Sequence, residues 1–252
     1  MVHKNILSFC LALCFWDLAV YAQNSEKDSA SAGTFISASF AFQWPGADLA
    51  RRFGQNSAAG GSFCYKSHHN ILFGLEGDFL FGDRILQQGI LDSISTPDGS
   101  FIGSDGKLTN AQLYERGFHL RAVVGKIFPL GKVNPNSGLF VKGGAGYLQH
   151  KIRIEIPGNT VPQLSDEYKK GYDHMCNGFA LTASAGYLYI GKKRLVNFFG
   201  VAEFTRAWTQ GRRFDFNTMQ LDNAKRSDML YGFRVGWIIP LYKRSPEKFY
   251  TY

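Results

Sequence analysis

From Met229 to Tyr242 the chain reads Met-Leu-Tyr-Gly-Phe-Arg-Val-Gly-Trp-Ile-Ile-Pro-Leu-Tyr. Tyr231, Phe233, Val235, Trp237, Ile239 and Leu241 make one apolar set of alternate positions. The intervening set, Leu230, Gly232, Arg234, Gly236 and Ile238, is small or charged through its middle. A period of two is the side-chain period of a strand. An aromatic face opposite glycine and arginine suits a strand with lipid outside and a narrow lumen inside. The other reading is a strand of a soluble sandwich, with its apolar face turned inward. The rest of the chain decides between them, because the pattern recurs.

Working back to the start, strand one is expected at Thr34 to Trp44, with Ile36, Ala38, Phe40, Phe42 and Trp44 outward and Ser37, Ser39 and Gln43 inward. Pro45-Gly46 is read as its end, followed by a loop to Ser57. Strand two runs from Gly60 to Lys66 and alternates Phe63 and Tyr65 against Ser62, Cys64 and Lys66. After a tight turn, strand three (Ile71 to Phe81) opposes Ile71, Phe73, Leu75, Phe79 and Phe81 to Gly74, Glu76 and Asp78. Strand four (Gly117 to Phe128) sets Phe118, Leu120, Ala122 and Val124 against His119, Arg121 and Gly125. Strand five is Leu139 to Ile152, with Lys142, Gly144 and Gly146 on one face. Strand six is Gly178 to Ile190, and strand seven, Leu195 to Trp208, turns Glu203 and Thr205 inward.

The connections sort strictly by length. Long polar segments (45–57, 82–115, 155–176, 210–228) alternate with short turns (66–70, 129–138, 191–194). The pattern predicts an all-β fold, an eight-stranded antiparallel up-and-down transmembrane β-barrel with long loops outside and both termini in the periplasm. Strands of this length can cross a bilayer when tilted. Residues 33–242 form this single domain.

Residues 1–22 read as a cleavable Sec signal: His3 and Lys4, an apolar run from Ile6 to Trp16 and an ending Val20-Tyr21-Ala22. Cys14 raises lipoprotein processing, but Leu13 stands where a small residue is expected. Residues 23–32 are a polar periplasmic segment. Removal of the signal takes two of the four cysteines, and Cys64 and Cys176 cannot staple a chain this long. They are expected at opposite ends of the barrel as free thiols. Lys4 and Asp17 cancel, so the formal +8 of the 252 residues persists after cleavage. In an exported protein that charge points to an anionic membrane surface rather than nucleic acid, for which no binding motif is present.

Six charges fall on inward positions: Glu76, Asp78, Arg121, Lys142, Glu203 and Arg234. They read either as a gated ion path or as a salt-bridged plug. Because a barrel of eight strands is filled by its own side chains, the plug is preferred. Gly74, Gly125, Gly144, Gly146 and Gly236 would make room for them. His119 is expected to pair with a lumen carboxylate. His68-His69 reads as a solvated turn. His150 and His174 flank a long loop holding Asp166, Glu167 and Asp173, but this spacing matches no metal-ligand pattern. No catalytic motif, cofactor motif, metal site or small-molecule site is found. The protein is expected not to be an enzyme.

Four stretches carry a family resemblance: residues 47–57, residues 71–82, Asp105-Gly106 with residues 113–118, and residues 236–243 with 246–250. Together they resemble the small outer-membrane barrels of Bacteroidetes (OmpA/OmpX-like in architecture), and most closely the PorG-like proteins of the type IX secretion system. The resemblance implies a non-catalytic component of the Gram-negative outer membrane. Its partners would be outer-membrane lipid and a periplasmic ring of a lipoprotein and its partner, of the PorK/PorN type. Only the N-terminal segment, the short turns and the tail 243–252 could make that contact. In the candidate tail, which also holds Pro246, Lys243, Arg244 and Lys248 offer charge, and Phe249, Tyr250 and Tyr252 offer aromatic anchors. The same aromatics could instead sit at the membrane interface. A chain running past its last strand would need its assembly signal read internally.

Overall fold

The computed structural model describes residues 32–130, 134–157, 161–191 and 196–241. In chain order these form β1 (Gly33–Gly46), the short helix α1 (Ala47–Ala50), β2 (Asn56–Lys66), β3 (Ile71–Gly82), β4 (Phe101–Ile102), β5 (Leu108–Thr109), β6 (Gln112–Pro129), β7 (Gly138–Glu155), β8 (Cys176–Ile190), β9 (Asn197–Gly211), β10 (Phe214–Asp215), β11 (Gln220–Leu221) and β12 (Lys225–Leu241). Eight strands close one antiparallel barrel in the order β1-β12-β9-β8-β7-β6-β3-β2. Thr34 pairs with Leu241 across the closing seam, so both ends of the barrel chain lie on the rim of the short turns. The two remaining strand pairs, β4-β5 and β10-β11, are small hairpins inside long loops.

The outward parity is the apolar one. Phe63, Phe233 and Val235 are 60 %, 64 % and 60 % exposed, a waste of apolar surface in water and the expected state against hydrocarbon. Aromatic rings gather at two heights. Trp44 stacks near Tyr231, Phe118 near Tyr147 and Phe179 near Trp208 toward the long loops. Tyr65 meets Phe73 and Tyr189 meets Phe198 toward the short turns. Such paired girdles mark the two interfaces of a membrane barrel.

Four expectations are corrected at the loop end. β1 continues through Pro45-Gly46, because beyond Gln43 it pairs with β12 alone and a proline is tolerated on such an edge. The segment after it is not an outer loop. α1 and the following turn fold into the barrel mouth, burying Leu49 and Phe53. β2 and β6 begin at Asn56 and Gln112 rather than Gly60 and Gly117. The segment 82–115 is not wholly polar in role: Ile90, Leu91 and Phe101 are buried with Ile152, Ile154 and Leu164 in an apolar cap over the mouth. The turn 191–194 falls mostly outside the described residues, as do Tyr242 and the tail 243–252.

The lumen is more apolar than its charges suggest. At the short-turn end Phe35, Leu72, Val123, Ile127, Phe140 and Leu188 close a second core. The charged residues are a layer between these two apolar ones.

Candidate functional site

The middle layer is built by parity and register. Glu76 and Asp78 project inward two residues apart on β3, and Arg121 stands directly opposite Glu76 on β6. On its other side Arg121 faces Gly146 of β7, and Glu203 of β9 faces Gly232 of β12, so each long side chain has a neighbour without one. All six charges sit at 7 % exposure or less. At that depth an unpaired ion costs several kcal/mol, so the geometry of pairing decides whether the layer can exist.

It is paired throughout. Arg121 reaches Glu76 at 2.8 Å, Asp78 at 2.9 Å and Glu203 at 3.3 Å. Lys142 donates to Glu76 at 2.5 Å. Arg234 forks onto Asp78 at 2.7 and 2.9 Å and onto Glu203 at 2.8 and 3.0 Å, and donates to Ser39 at 3.0 Å. Each carboxylate is thus shared by two cations, and three carboxylates balance three cations. Bidentate guanidinium pairs are the strongest form of such contacts. The space left beside Lys142 is about 20 Å³, enough for roughly one water molecule.

His119 is in the lumen but not as expected. Its Nδ1 accepts from Arg121 Nη1 at 2.8 Å, and among the described residues no carboxylate bonds its ring. Arg121, two residues along the same face, is nearer than the carboxylates that the guanidinium already occupies.

A second polar layer lies nearer the long loops. His150 Nε2 meets Asp228 Oδ2 at 2.9 Å, and Thr209 donates to the same oxygen at 2.5 Å. Asn56 donates to Glu115 at 2.9 Å, and the rings of Phe53 and His150 meet nearly at right angles. Arg52, carried in by the turn after α1, donates to Cys176 Sγ at 3.1 Å and to the His174 carbonyl at 2.8 Å. Sequence reasoning placed His150 at a loop margin and missed this layer. The signal was present in parity: His150 continues the inward series of Lys142, Gly144 and Gly146, and Asp228 that of Arg234.

His150 and His174 do not converge with Asp166 and Glu167, and among the described residues no group of His, Cys, Asp and Glu is arranged to hold a metal ion. His68 and His69 are exposed in the turn after β2. Cys64 and Cys176 are both buried and free, the first near the short-turn rim and the second at the loop end of β8. Outside the membrane span, burial raises the Asp173 carboxyl against the lowering pull of Arg213 and Lys151.

Fold and lumen together define a small transmembrane β-barrel of outer-membrane type whose interior is closed by its own side chains. Among solved structures the chain is similar to Neisserial surface protein A (12 % identity, TM-score 0.44, 84 % of this chain and 100 % of that one). It is also similar to Ail, the attachment invasion locus protein of Yersinia pestis, in complex with the heparin analogue sucrose octasulfate (13 %, 0.39, 83 % and 100 %). A third likeness is to the N-terminal β-barrel domain of Pseudomonas aeruginosa OprF (13 %, 0.37, 83 % and 100 %). No protein-family model and no curated protein matches the chain.

Proposed function

We propose that the chain is a non-catalytic outer-membrane barrel of a type IX secretion apparatus, tying a periplasmic ring of the PorK/PorN type to the membrane. The observation that supports a role exerted at the surfaces is the neutral, fully paired charge layer held between two apolar ones. Among the described residues it leaves the lumen neither a path nor an open site, so the work falls to the surfaces. Residence in the outer membrane belongs to the same reading, supported by the apolar outward band, and so does export through the signal 1–22, which rests on the sequence and lies outside the described residues. The secretion role rests on the sequence resemblance. Its candidate contacts are the short turns and the tail, above all Lys243, Arg244, Lys248, Phe249, Tyr250 and Tyr252, which lie outside the described residues.

The test is a pull-down from detergent-solubilised outer membranes through a tag at Asp105-Gly106, with mass spectrometry of the partners. Recovery of a lipoprotein and ring proteins in fixed ratio, lost when residues 243–252 are deleted and the basic turns substituted, is expected. Recovery of the barrel alone from cells that secrete normally would sink the secretion role.

A second reading is a stand-alone structural or adhesive barrel acting through its outer loops. It is favoured by the two loop hairpins, which hold Ile102, Leu108 and Leu221 out at 60 % exposure or more. Surface binding that disappears when the segment 83–111 is clipped, with secretion intact, would select it.

A further inference from the structure

β8 ends at Cys176, opposite His150 of β7, but β7 runs on to Glu155 against β6. Among the described residues no strand covers the edge of β7 beyond His150. Residues 161–175 dock there instead, through a bond from the Ile152 N–H to the Asp173 carbonyl at 2.8 Å. Between that edge, the loop and Arg213 lies a cleft of about 510 Å³, within the size range of pockets that hold small ligands.

Its charge is uneven. Lys151, Arg153, Lys169, Lys170 and Arg213 face it, against Glu155, Asp166 and Asp173, which leaves a formal surplus of two positive charges. Carboxylates stand beside four of the five cations: Glu155 lies 2.6 Å from Arg153, Asp173 lies 3.3 Å from Arg213 and 4.0 Å from Lys151, and Asp166 lies 3.4 Å from Lys169. Arg116, directly across from Lys151 on β6, extends the basic surface around the rim.

The height of the cleft identifies the ligand class. On β7 the outward apolar face ends at Tyr147, whose ring packs near Phe118 in the upper girdle. Lys151 lies four residues further on. At about 3.3 Å per residue on a strand tilted roughly 40°, that places it about 10 Å above the girdle, among lipid headgroups. Below it, the exposed Leu120 and Phe179 stand on either side of Tyr147 and form the upper part of the outward apolar face. A cationic, sugar-sized cleft over an apolar wall suits one molecule with an anionic head and acyl chains.

We propose that this cleft binds the phosphate-bearing headgroup of a glycolipid in the outer leaflet, with Lys151, Arg153 and Lys170 as the main phosphate contacts. The proposal rests on the membrane-barrel reading with the long loops on the outer side, and is independent of any secretion role.

The full chain, folded in neutral phospholipid nanodiscs, is titrated with a fluorescently labelled bisphosphorylated disaccharide lipid and with the same lipid stripped of phosphate. The phosphorylated form is expected to bind at least about tenfold more tightly, the effect of one charge-assisted contact. Lys151→Gln/Arg153→Gln/Lys170→Gln should erase that preference and flatten its salt dependence. Equal binding of both lipids, an unchanged triple variant, or complete displacement by millimolar inorganic phosphate would overturn the proposal. If the triple variant does not fold, the exposed Lys170→Gln alone must still weaken the phosphorylated lipid selectively. Folding is read separately from heat-modifiable gel mobility, so a chain that forms no barrel refutes the membrane reading and not the cleft alone.

Discussion

Arg234 joins the two halves of the lumen layer, since it bonds both Asp78 and Glu203 through two nitrogens each. Arg234→Met removes a charge and leaves two buried carboxylates leaning on Arg121. Breaking a buried pair from one side costs about 3–5 kcal/mol, most of it from the stranded charge. The loss should appear in urea unfolding in detergent micelles, and Glu203→Gln on the same background should recover part of it. A single variant as stable as wild type would show that the layer is not what holds the interior. The six charges were legible as an inward set because strand parity is visible in sequence. Their partners were not, since pairing across the lumen depends on the shear of the closed barrel, and for the same reason His119 was assigned to a carboxylate and lies on Arg121. On the loop side, burial alone would raise Asp222. The bonds from Arg226 at 2.9 Å and from the Ala224 N–H at 3.1 Å outweigh it and hold the carboxyl below its usual value. A depressed folded value means stability that is present above the ordinary aspartate range, near 4, and lost as pH falls through the lowered value. Hydrogen exchange in residues 212–224 should therefore stay slow from neutral pH down to that range and quicken only in stronger acid. Asp222→Asn should abolish the acid step, and an identical step in that variant would refute the clasp.

At the scale of elements, glycine placement decides which strands can carry long inward side chains. A Cβ on Gly146 would stand 2.0 Å from the Leu120 carbonyl oxygen and 2.5 Å from the Arg121 Cα, both backbone atoms that cannot step aside. Gly200, on the outward face of β9, has nothing within 4 Å of the same position. Gly146→Ala should lower stability by at least about 1–3 kcal/mol, the usual cost of overpacking, whereas Gly200→Ala should leave the unfolding midpoint unchanged. Equal effects would mean that β6 and β7 do not approach as described. The strands themselves were readable wherever outward aromatics alternate with small or charged residues. Their loop-side ends were not, because Gln112 to Arg116 and Lys225 to Asp228 lie above the lipid and lack the apolar outer face. α1 was missed for a different reason: residues 47–55 contain arginines and an aspartate, and their burial depends on the mouth they enter.

The whole molecule is a barrel with three internal layers: an apolar core at the short-turn end, a balanced charge layer, and a polar-to-apolar cap made with the help of its own loops. The strand count and the asymmetry of loop lengths were legible from one end of the sequence to the other, because each is a property of spacing. The sealing was only half legible. Charges on the inward face announce a plug, but the cap needs α1 and the segments 83–111 and 161–175 to fold back on the mouth, and long polar loops do not signal that. The sealed interior is the claim on which the surface-based function depends, and electrical recording reads it directly. The purified chain is inserted into a planar lipid bilayer in concentrated potassium chloride and current is followed at fixed voltage. A closed lumen gives no sustained current above the bare membrane, for wild type and for Gly200→Ala alike. Stable ohmic steps from the wild-type chain, altered in size by Lys142→Ala, would show an open path through the charge layer and contradict the plug.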